Sequence, residues 1–308
     1  MKKLTIVLLA FALSALAQTQ NQAPSAPQPQ PGAQAAPAAP AGIKRQPQAK
    51  TQEEFTAYKQ AAGLADAAAL EKAATDFAAK YPDSELRILL YKAAMRAYQN
   101  ANNPEKMREM GEKALALDPN DPEALVTVAM VLSEGAHTTD IDFAQKTEQA
   151  MSMARKALTT VDTDLEVPPN LPPDKIATIK NGMKSWAYAV IGTIELEKND
   201  YAAAANDLNQ SNQLNPLAPD PVTYLRLAVA LDKQNKYPEA LVAANRAVEL
   251  APEGTPAGNL ARQERDRLQK LTGGGPTPAT GTAPSGAATG TGAANQQKPQ
   301  PSQSTPPK

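Results

Sequence analysis

NDYAAAANDLNQSNQLNP, residues 199–216, and NKYPEALVAANRAVELAP, residues 235–252, are two versions of one eighteen-residue pattern. Each begins with Asn, has Tyr two residues later, continues through small and apolar residues, and ends with Leu, one variable residue and Pro. Apolar residues at helical spacing predict an amphipathic helix, and the proline predicts where it stops. The same helix written again 36 residues later predicts a repeat protein.

A second helix precedes each copy, and the two units agree across both helices. Tyr188 and Gly192 in one unit correspond to Tyr224 and Ala228 in the next. Each second helix has a small residue near its start, which is Ala204 in the first unit and Ala240 in the next. Small residues let one helix approach another closely, and each proline breaks the chain before the next unit.

These positions resemble the tetratricopeptide repeat, a unit of about 34 residues with a W-x₂-L-G-x₂-Y…A-x₃-F…P pattern. The two best units carry the resemblance through Tyr188, Ile191, Gly192, Tyr201, Ala204 and Pro216, and through Tyr224, Leu227, Ala228, Tyr237, Ala240, Ala247 and Pro252. Upstream units match less closely. Tyr91 and Pro119 keep the pattern in one, while Ala129 and an insertion at 135–142 mark the next.

The resemblance implies an all-α fold, an α-solenoid of antiparallel helix pairs. Repeat units are expected near 51–84, 88–121, 122–162, 185–218 and 221–254, with a charged cap helix at 257–271, so that the solenoid covers 51–271. Helices are predicted near 51–62, 66–80, 84–101, 104–117, 122–134, 140–160, 174–198, 200–214, 221–235, 237–250 and 257–271. The proline-rich stretch 161–175 is expected to be a loop, with a docking elbow as the alternative.

The two ends of the chain have a different composition. Residues 1–17 have two lysines, an apolar run and a small-x-small site, which predicts a secretory signal peptide rather than a membrane anchor. Residues 18–50 are mostly Ala, Gln and Pro, and 272–308 contain no large apolar residue, so disorder is predicted for both. The chain has no Cys, which excludes lipoprotein acylation and disulfides.

Side-chain chemistry gives little support for catalysis. With no Cys and a single His (His137), neither a Cys–His pair nor a His-based zinc site can form. Asp162, Asp164 and Glu166 alternate as in a calcium loop, but Val167 stands where the turn requires Gly. We therefore predict no catalytic residues, no metal site and no cofactor. A formal net charge of −1 gives no indication of a nucleic-acid partner.

What remains is the concave surface that the first helices of such repeats line. A basic end is predicted at Lys92, Arg96 and Asn100, which is similar to part of the carboxylate clamp of chaperone-binding tetratricopeptide proteins, although a full clamp is absent. An apolar middle is predicted at Val126, Met130, Ala189, Val229 and Trp186. The alternatives are a solvated basic helix face, and a Trp that packs at the edge of the core.

The sequence thus predicts an exported, periplasmic or extracellular scaffold that binds a protein or peptide in its groove. Its resemblance to repeat proteins of bacterial envelopes implies a role in envelope assembly or secretion. An architectural spacer that uses its proline-rich tails is the alternative, and an enzyme with an unfamiliar site is a third. No membrane insertion is expected once the signal is cleaved. The partner's identity and the oligomeric state are left open.

Overall fold

The structure, a computed structural model, describes residues 44–168 and 170–273. The predicted signal peptide at 1–17, residues 18–43 and the tail at 274–308 lie outside the described residues. All described residues belong to one compact unit, Met1–Gly275. The second unit, Pro276–Lys308, lies entirely outside them.

The described residues form eleven α-helices and no strand, apart from one isolated bridge between Lys44 and Glu166. Consecutive helices pack as pairs, α3 with α4, α5 with α6, α7 with α8 and α9 with α10, and α11 covers the last pair. This confirms the predicted all-α solenoid of paired helices. The helices are α1 (Gln52–Ala62), α2 (Ala67–Lys80), α3 (Arg87–Asn100), α4 (Pro104–Leu117), α5 (Pro122–Glu134), α6 (Phe143–Thr163), α7 (Pro173–Glu197), α8 (Tyr201–Leu214), α9 (Pro221–Asp232), α10 (Tyr237–Leu250) and α11 (Pro256–Leu271).

The small residues of the repeat pattern lie where paired helices are closest. A Cβ on Gly192 of α7 would stand 2.7 Å from Cγ of Leu208 on α8. Four alanines are completely buried at the corresponding contacts: Ala129, Ala204, Ala228 and Ala240. Tyr91 and Tyr224 are half-buried beside them. The three prolines of the pattern, Pro119, Pro216 and Pro252, are exposed in the turns that follow the second helices.

The Asn that opens each repeated stretch has a backbone role. Asn199 and Asn235 have φ of 62° and 60°, and Asn102 occupies the corresponding turn of the α3–α4 pair with φ of 52°. Asn tolerates this left-handed region better than most residues, so it closes the first helix and reverses the chain. The Oη atoms of Tyr201 and Tyr237 donate to these Asn side chains over 2.6 and 2.7 Å. The sequence motif is therefore a turn signal.

Residues 44–50, at the end of the segment for which the sequence predicts disorder, lie against the helices; we call them the strap. The backbone N–H of Lys44 donates to the carbonyl of Leu165 over 3.0 Å, and Nε2 of Gln46 donates to that of Val167 over 3.0 Å. Nη2 of Arg45 donates to both carboxylate oxygens of Glu85, over 2.7 and 2.9 Å. The composition of residues 44–50 did not predict that they are ordered. Their order results from polar contacts with residues far away in the sequence, in the linker between α6 and α7.

The insertion at 135–142 forms the turns between α5 and α6, and α6 begins at Phe143, three residues later than predicted. The backbone N–H of His137 donates to the Asp140 carboxylate over 3.1 Å, which closes one of these turns. Among residues 44–168 and 170–273, no helix combines the length and apolar composition that a bilayer crossing requires.

Candidate functional site

A cavity of about 620 Å³ lies between the first helices α5, α7 and α9. The turn between α8 and α9 and the start of α4, which contributes Glu105 and Arg108, complete its walls. We call this cavity the groove. Its walls are mainly apolar, because the helix faces that meet there carry aliphatic side chains, Met130 and Trp186. Leu217, at the rim, is 82% exposed. A large exposed apolar side chain beside an apolar cavity is typical of a surface that binds another molecule.

Met130 and Trp186 both lie where the sequence predicts a groove. Both line the cavity, and both also pack against the buried cluster formed by α5, α6 and α7. Trp186 is half-buried. Each side chain therefore presents one side to the core and another to the groove, so that core-edge packing and ligand contact are compatible for this Trp.

Two other residues predicted for the groove do not line it. Val126 is completely buried and belongs to the core between α5, α6 and α7. Val229 is half-buried and lies outside the cavity, where α9 instead contributes Val222 and Arg226. The reason is that α5 packs against helices on several sides, which leaves only its end near Met130 open. The cavity likewise reaches the beginning of α9 and not its middle.

Lys92, predicted to be an open basic anchor, is buried in an acidic cluster. Its Nζ lies 2.6 Å from Asp121, 3.4 Å from Glu123 and 3.6 Å from Glu166. The side chain is 6% exposed. Burial lowers the pKa of Lys92, but the three carboxylates more than offset this effect and raise it above its ordinary value. Carboxylates of the same chain neutralise the Lys92 ammonium group, so Lys92 does not offer a free cation to a ligand.

Arg96 and Asn100, the rest of the predicted basic end, do not line the groove either. The Arg96 guanidinium holds both oxygens of Glu123, each at 2.5 Å. Burial raises the pKa of Glu123, but Arg96 and then Lys92 lower it by more, so the carboxyl remains charged. Asn100 is exposed at the end of α3. The predicted partial carboxylate clamp is thus already neutralised by acidic residues of the same chain.

The groove also contains Arg226, Ser185 and Asn212, which the repeat pattern did not predict. Arg226 of α9 pairs with Glu134 of α5 over 2.6 Å, across 92 residues of sequence. Ser185 of α7 donates to the carbonyl of Ser211 on α8 over 2.9 Å. Asn212 follows Ser211 in the wall. The repeat pattern predicts ligand contacts only on first helices, so the end of α8 was not predicted to line the groove.

The described part of the chain contains no group of three or more Asp, Glu or His residues arranged to hold a metal ion. The arrangement in the groove is therefore one of apolar surface with a few polar groups on its wall. Such a surface can recognise the shape and the hydrogen-bonding groups of another molecule.

No protein-family model matches the sequence, and no curated protein matches it. Among solved structures, the chain is similar to a thermophilic TPR protein of Thermus thermophilus, with 16% identity over 71% of this chain and 98% of that chain and a TM-score of 0.39. It is also similar to an assembly chaperone of RpL4, with 12% identity over 72% of this chain and 98% of that chain and a TM-score of 0.38.

Proposed function

We propose that this protein is a non-catalytic helical-repeat scaffold that binds a protein or peptide partner in the groove. The observation that carries the proposal is the cavity itself, an apolar surface shared by three successive first helices. Partner binding would cover Trp186, Met130 and the exposed Leu217, which removes apolar surface from water.

The place of action belongs to the same proposal. The predicted signal peptide at residues 1–17 supports export, and the protein would then act in cell-envelope assembly or secretion. The alternative, a spacer that works through its proline-rich ends, requires those ends and makes no use of the groove. Capture of partners by the groove therefore separates the two functions.

The experiment fills the groove with a single side chain. Ala189 lines the cavity from α7, so Ala189→Arg places a long charged side chain inside it. Ala202 is exposed on α8, outside the cavity, and Ala202→Arg is the matched control. Full-length proteins would be cross-linked in envelope extract, and the captured partners would be quantified by mass spectrometry after circular dichroism has shown equal helix content.

We expect Ala189→Arg to reduce the specific capture of partners at least tenfold, which corresponds to about 1.4 kcal/mol of binding free energy. Ala202→Arg should capture them as well as the unaltered protein does. Equal capture by the two variants would exclude the groove as the binding surface. Capture that survives Ala189→Arg but disappears when residues 274–308 are removed would favour the spacer.

A further inference from the structure

We infer that the strap is a built-in competitor at a second docking site, and that this site takes a basic, extended segment of another protein. The site is formed by turns between helices and by the linker between α6 and α7, and not by the faces of the first helices. None of the residues that bond to the strap lines the groove. The inference therefore goes beyond the proposed function and does not depend on it.

The strap contacts the rest of the chain as a bound ligand would, through its backbone and through two charged side chains. Its backbone pairs with the linker between α6 and α7 in the parallel bridge at Lys44. The Lys44 ammonium group pairs with Asp118, directly after α4. Arg45 pairs with a different carboxylate, that of Glu85 before α3. Backbone pairing combined with side-chain contacts is a general way to hold an extended segment.

These contacts are polar and partly exposed to solvent, so they hold the strap weakly. The side chains of Arg45 and Glu85 are 62% and 45% exposed. The sequence of the strap, KRQPQAK, contains no large apolar residue. Ion pairs at this exposure contribute little to stability, and a segment with few buried apolar contacts opens at low cost. The strap can therefore leave while the helices stay folded.

The surface under the strap would keep its shape when the strap leaves. Leu165 and Val167, whose carbonyl groups accept hydrogen bonds from the strap, have buried side chains. Glu166, between them, lies 3.6 Å from Nζ of Lys92 in the buried acidic cluster. The linker is thus held to the helices without the strap, and its two carbonyl groups remain in place for another donor.

The charge of this surface selects a basic ligand. Without the strap, Asp118 and Glu85 would each lose the cation that pairs with them. Lys92 cannot replace these cations, because three other carboxylates already surround its ammonium group. Opposite charges on a ligand and its site favour both encounter and correct docking. A partner segment with adjacent Lys and Arg residues fits this surface, and an acidic segment would be repelled.

The attachment of the strap to α1 makes it an effective competitor. The strap ends directly before Thr51, the N-cap of α1, so it stays beside the site even when it is released. A segment tethered this closely has an effective concentration that is roughly millimolar. A free segment at micromolar concentration therefore competes poorly with the strap. The site opens to a partner only when the strap is displaced or pulled away.

The probe would be a fluorescein-labelled peptide with the sequence of residues 41–50, AGIKRQPQAK, added to the full chain. Two full-length variants release the strap, Lys44→Glu/Arg45→Glu by repulsion and Lys44→Gln/Arg45→Gln by loss of charge. Fluorescence anisotropy would measure the affinity. We expect both variants to bind the peptide at least about tenfold more tightly than the unaltered protein, because the competitor has been removed. A peptide with Glu in place of both basic residues should bind none of the three proteins.

Matched substitutions in the neutral strap-free variant locate the site. Glu85→Gln removes the carboxylate that Arg45 holds and should weaken peptide binding about fivefold, the scale of one exposed ion pair. Glu249→Gln is the control, because Glu249 forms a similarly exposed pair with Arg246 on α10. It should leave the affinity unchanged. Ala189→Arg, which fills the groove, should also leave it unchanged.

The opposite results would overturn the inference. If neither strap-free variant binds the peptide, or if both lose helix content by circular dichroism, the strap contributes only to stability. Equal affinity of the unaltered protein and both variants would show that the strap does not cover the site. Loss of peptide binding in Ala189→Arg would place the peptide in the groove, which overturns the second site and leaves the proposed function intact.

Sedimentation velocity tests the other occupant, which is the strap of a second copy of the chain. Straps exchanged between two copies would make the same contacts in a dimer. We expect the unaltered protein and both strap-free variants to have the same oligomeric state. A dimer that the unaltered protein forms and both variants lose would show that the site serves exchange between copies, and would overturn the foreign partner.

Discussion

Gly192 shows how one residue sets the distance between paired helices. An added methyl group would lie 2.7 Å from Cγ and 3.1 Å from the backbone N of Leu208, and the backbone atom cannot move aside cheaply. Gly192→Ala is therefore expected to lower the free energy of unfolding by about 1–3 kcal/mol, as overpacking of a buried contact does. Urea denaturation followed by circular dichroism measures this loss.

Gly182 lies on the same helix α7 and provides the control. A Cβ added there meets no atom within 4 Å. Gly182→Ala should raise the free energy of unfolding by about 0.5–1 kcal/mol, because alanine restricts the unfolded chain and favours the helix. Equal and small effects at both glycines would show that the α7–α8 contact is looser than the structure indicates.

At the scale of elements, the cluster around Lys92 joins parts of the chain that the repeat pattern treats separately. Lys92 comes from α3, Asp121 and Glu123 from the start of α5, and Glu166 from the linker before α7. Glu166 also forms the bridge with Lys44 of the strap. Lys44 extends the network further, because it pairs with Asp118 at the end of α4. The cluster thus fixes the strap and linker onto two helix pairs.

Lys92→Met removes the central cation and leaves three carboxylates buried together. Loss of one partner from a buried ion pair is expected to cost about 3–5 kcal/mol of unfolding free energy. Lys72→Met is the control, because Lys72 pairs with Asp76 at a site where the two side chains are 77% and 64% exposed. Such a pair is worth about 0–1 kcal/mol. Thermal and urea unfolding at pH 7 would measure the loss of unfolding free energy in each variant.

The pH dependence tests the cause of that loss. Without Lys92, the pKa of Glu166, which burial already raises in the native protein, should rise further, whereas Glu123 keeps its two contacts with Arg96. A native state that binds more protons than the unfolded state gains stability as pH falls. The deficit of Lys92→Met should therefore shrink between pH 7 and about 4.5. A deficit independent of pH would mean that lost packing, and not unpaired charge, destabilises the variant.

Helices were easier to predict from the sequence than the surfaces between them. The prediction for α10 agrees with the structure at both ends, and that for α8 differs by one residue at its start. Apolar spacing, the Asn turn and the proline act within one unit, so a local pattern contains them. Met130 and Trp186, which the pattern predicts on first helices, line the cavity, and their contact with a ligand stays a prediction.

The sequence could not reveal the burial of Lys92 or the pairing of Arg226 with Glu134. A basic residue on an exposed-looking helix face is read as solvated unless its partner is nearby in sequence. Glu166 lies 74 residues from Lys92 and reaches it through an irregular linker held by the strap. The prediction that Val126 lines the groove was wrong for a related reason. It assumed that each first helix has one face open to the groove, whereas neighbouring helices surround α5.

At the scale of the whole molecule, a repeat array requires an end that does not expose the apolar face of its last unit. The charged helix α11 provides this end by packing on α9 and α10. Leu268 is its buried contact, with no exposed surface, and belongs to the cluster formed with those helices. Arg267, beside it, pairs with Asp232 at the end of α9 over 2.6 Å.

Leu268→Ala in the full chain tests this role of the cap. The cavity that it leaves should cost about 2–5 kcal/mol of unfolding free energy, and the partly uncovered α9–α10 surface should promote self-association. Leu271 on the same helix is 51% exposed, so Leu271→Ala should cost less than about 1 kcal/mol. Urea unfolding with sedimentation velocity measures both effects. If the two alanine variants behave alike, α11 is an appendage and the α9–α10 pair is stable without its cover.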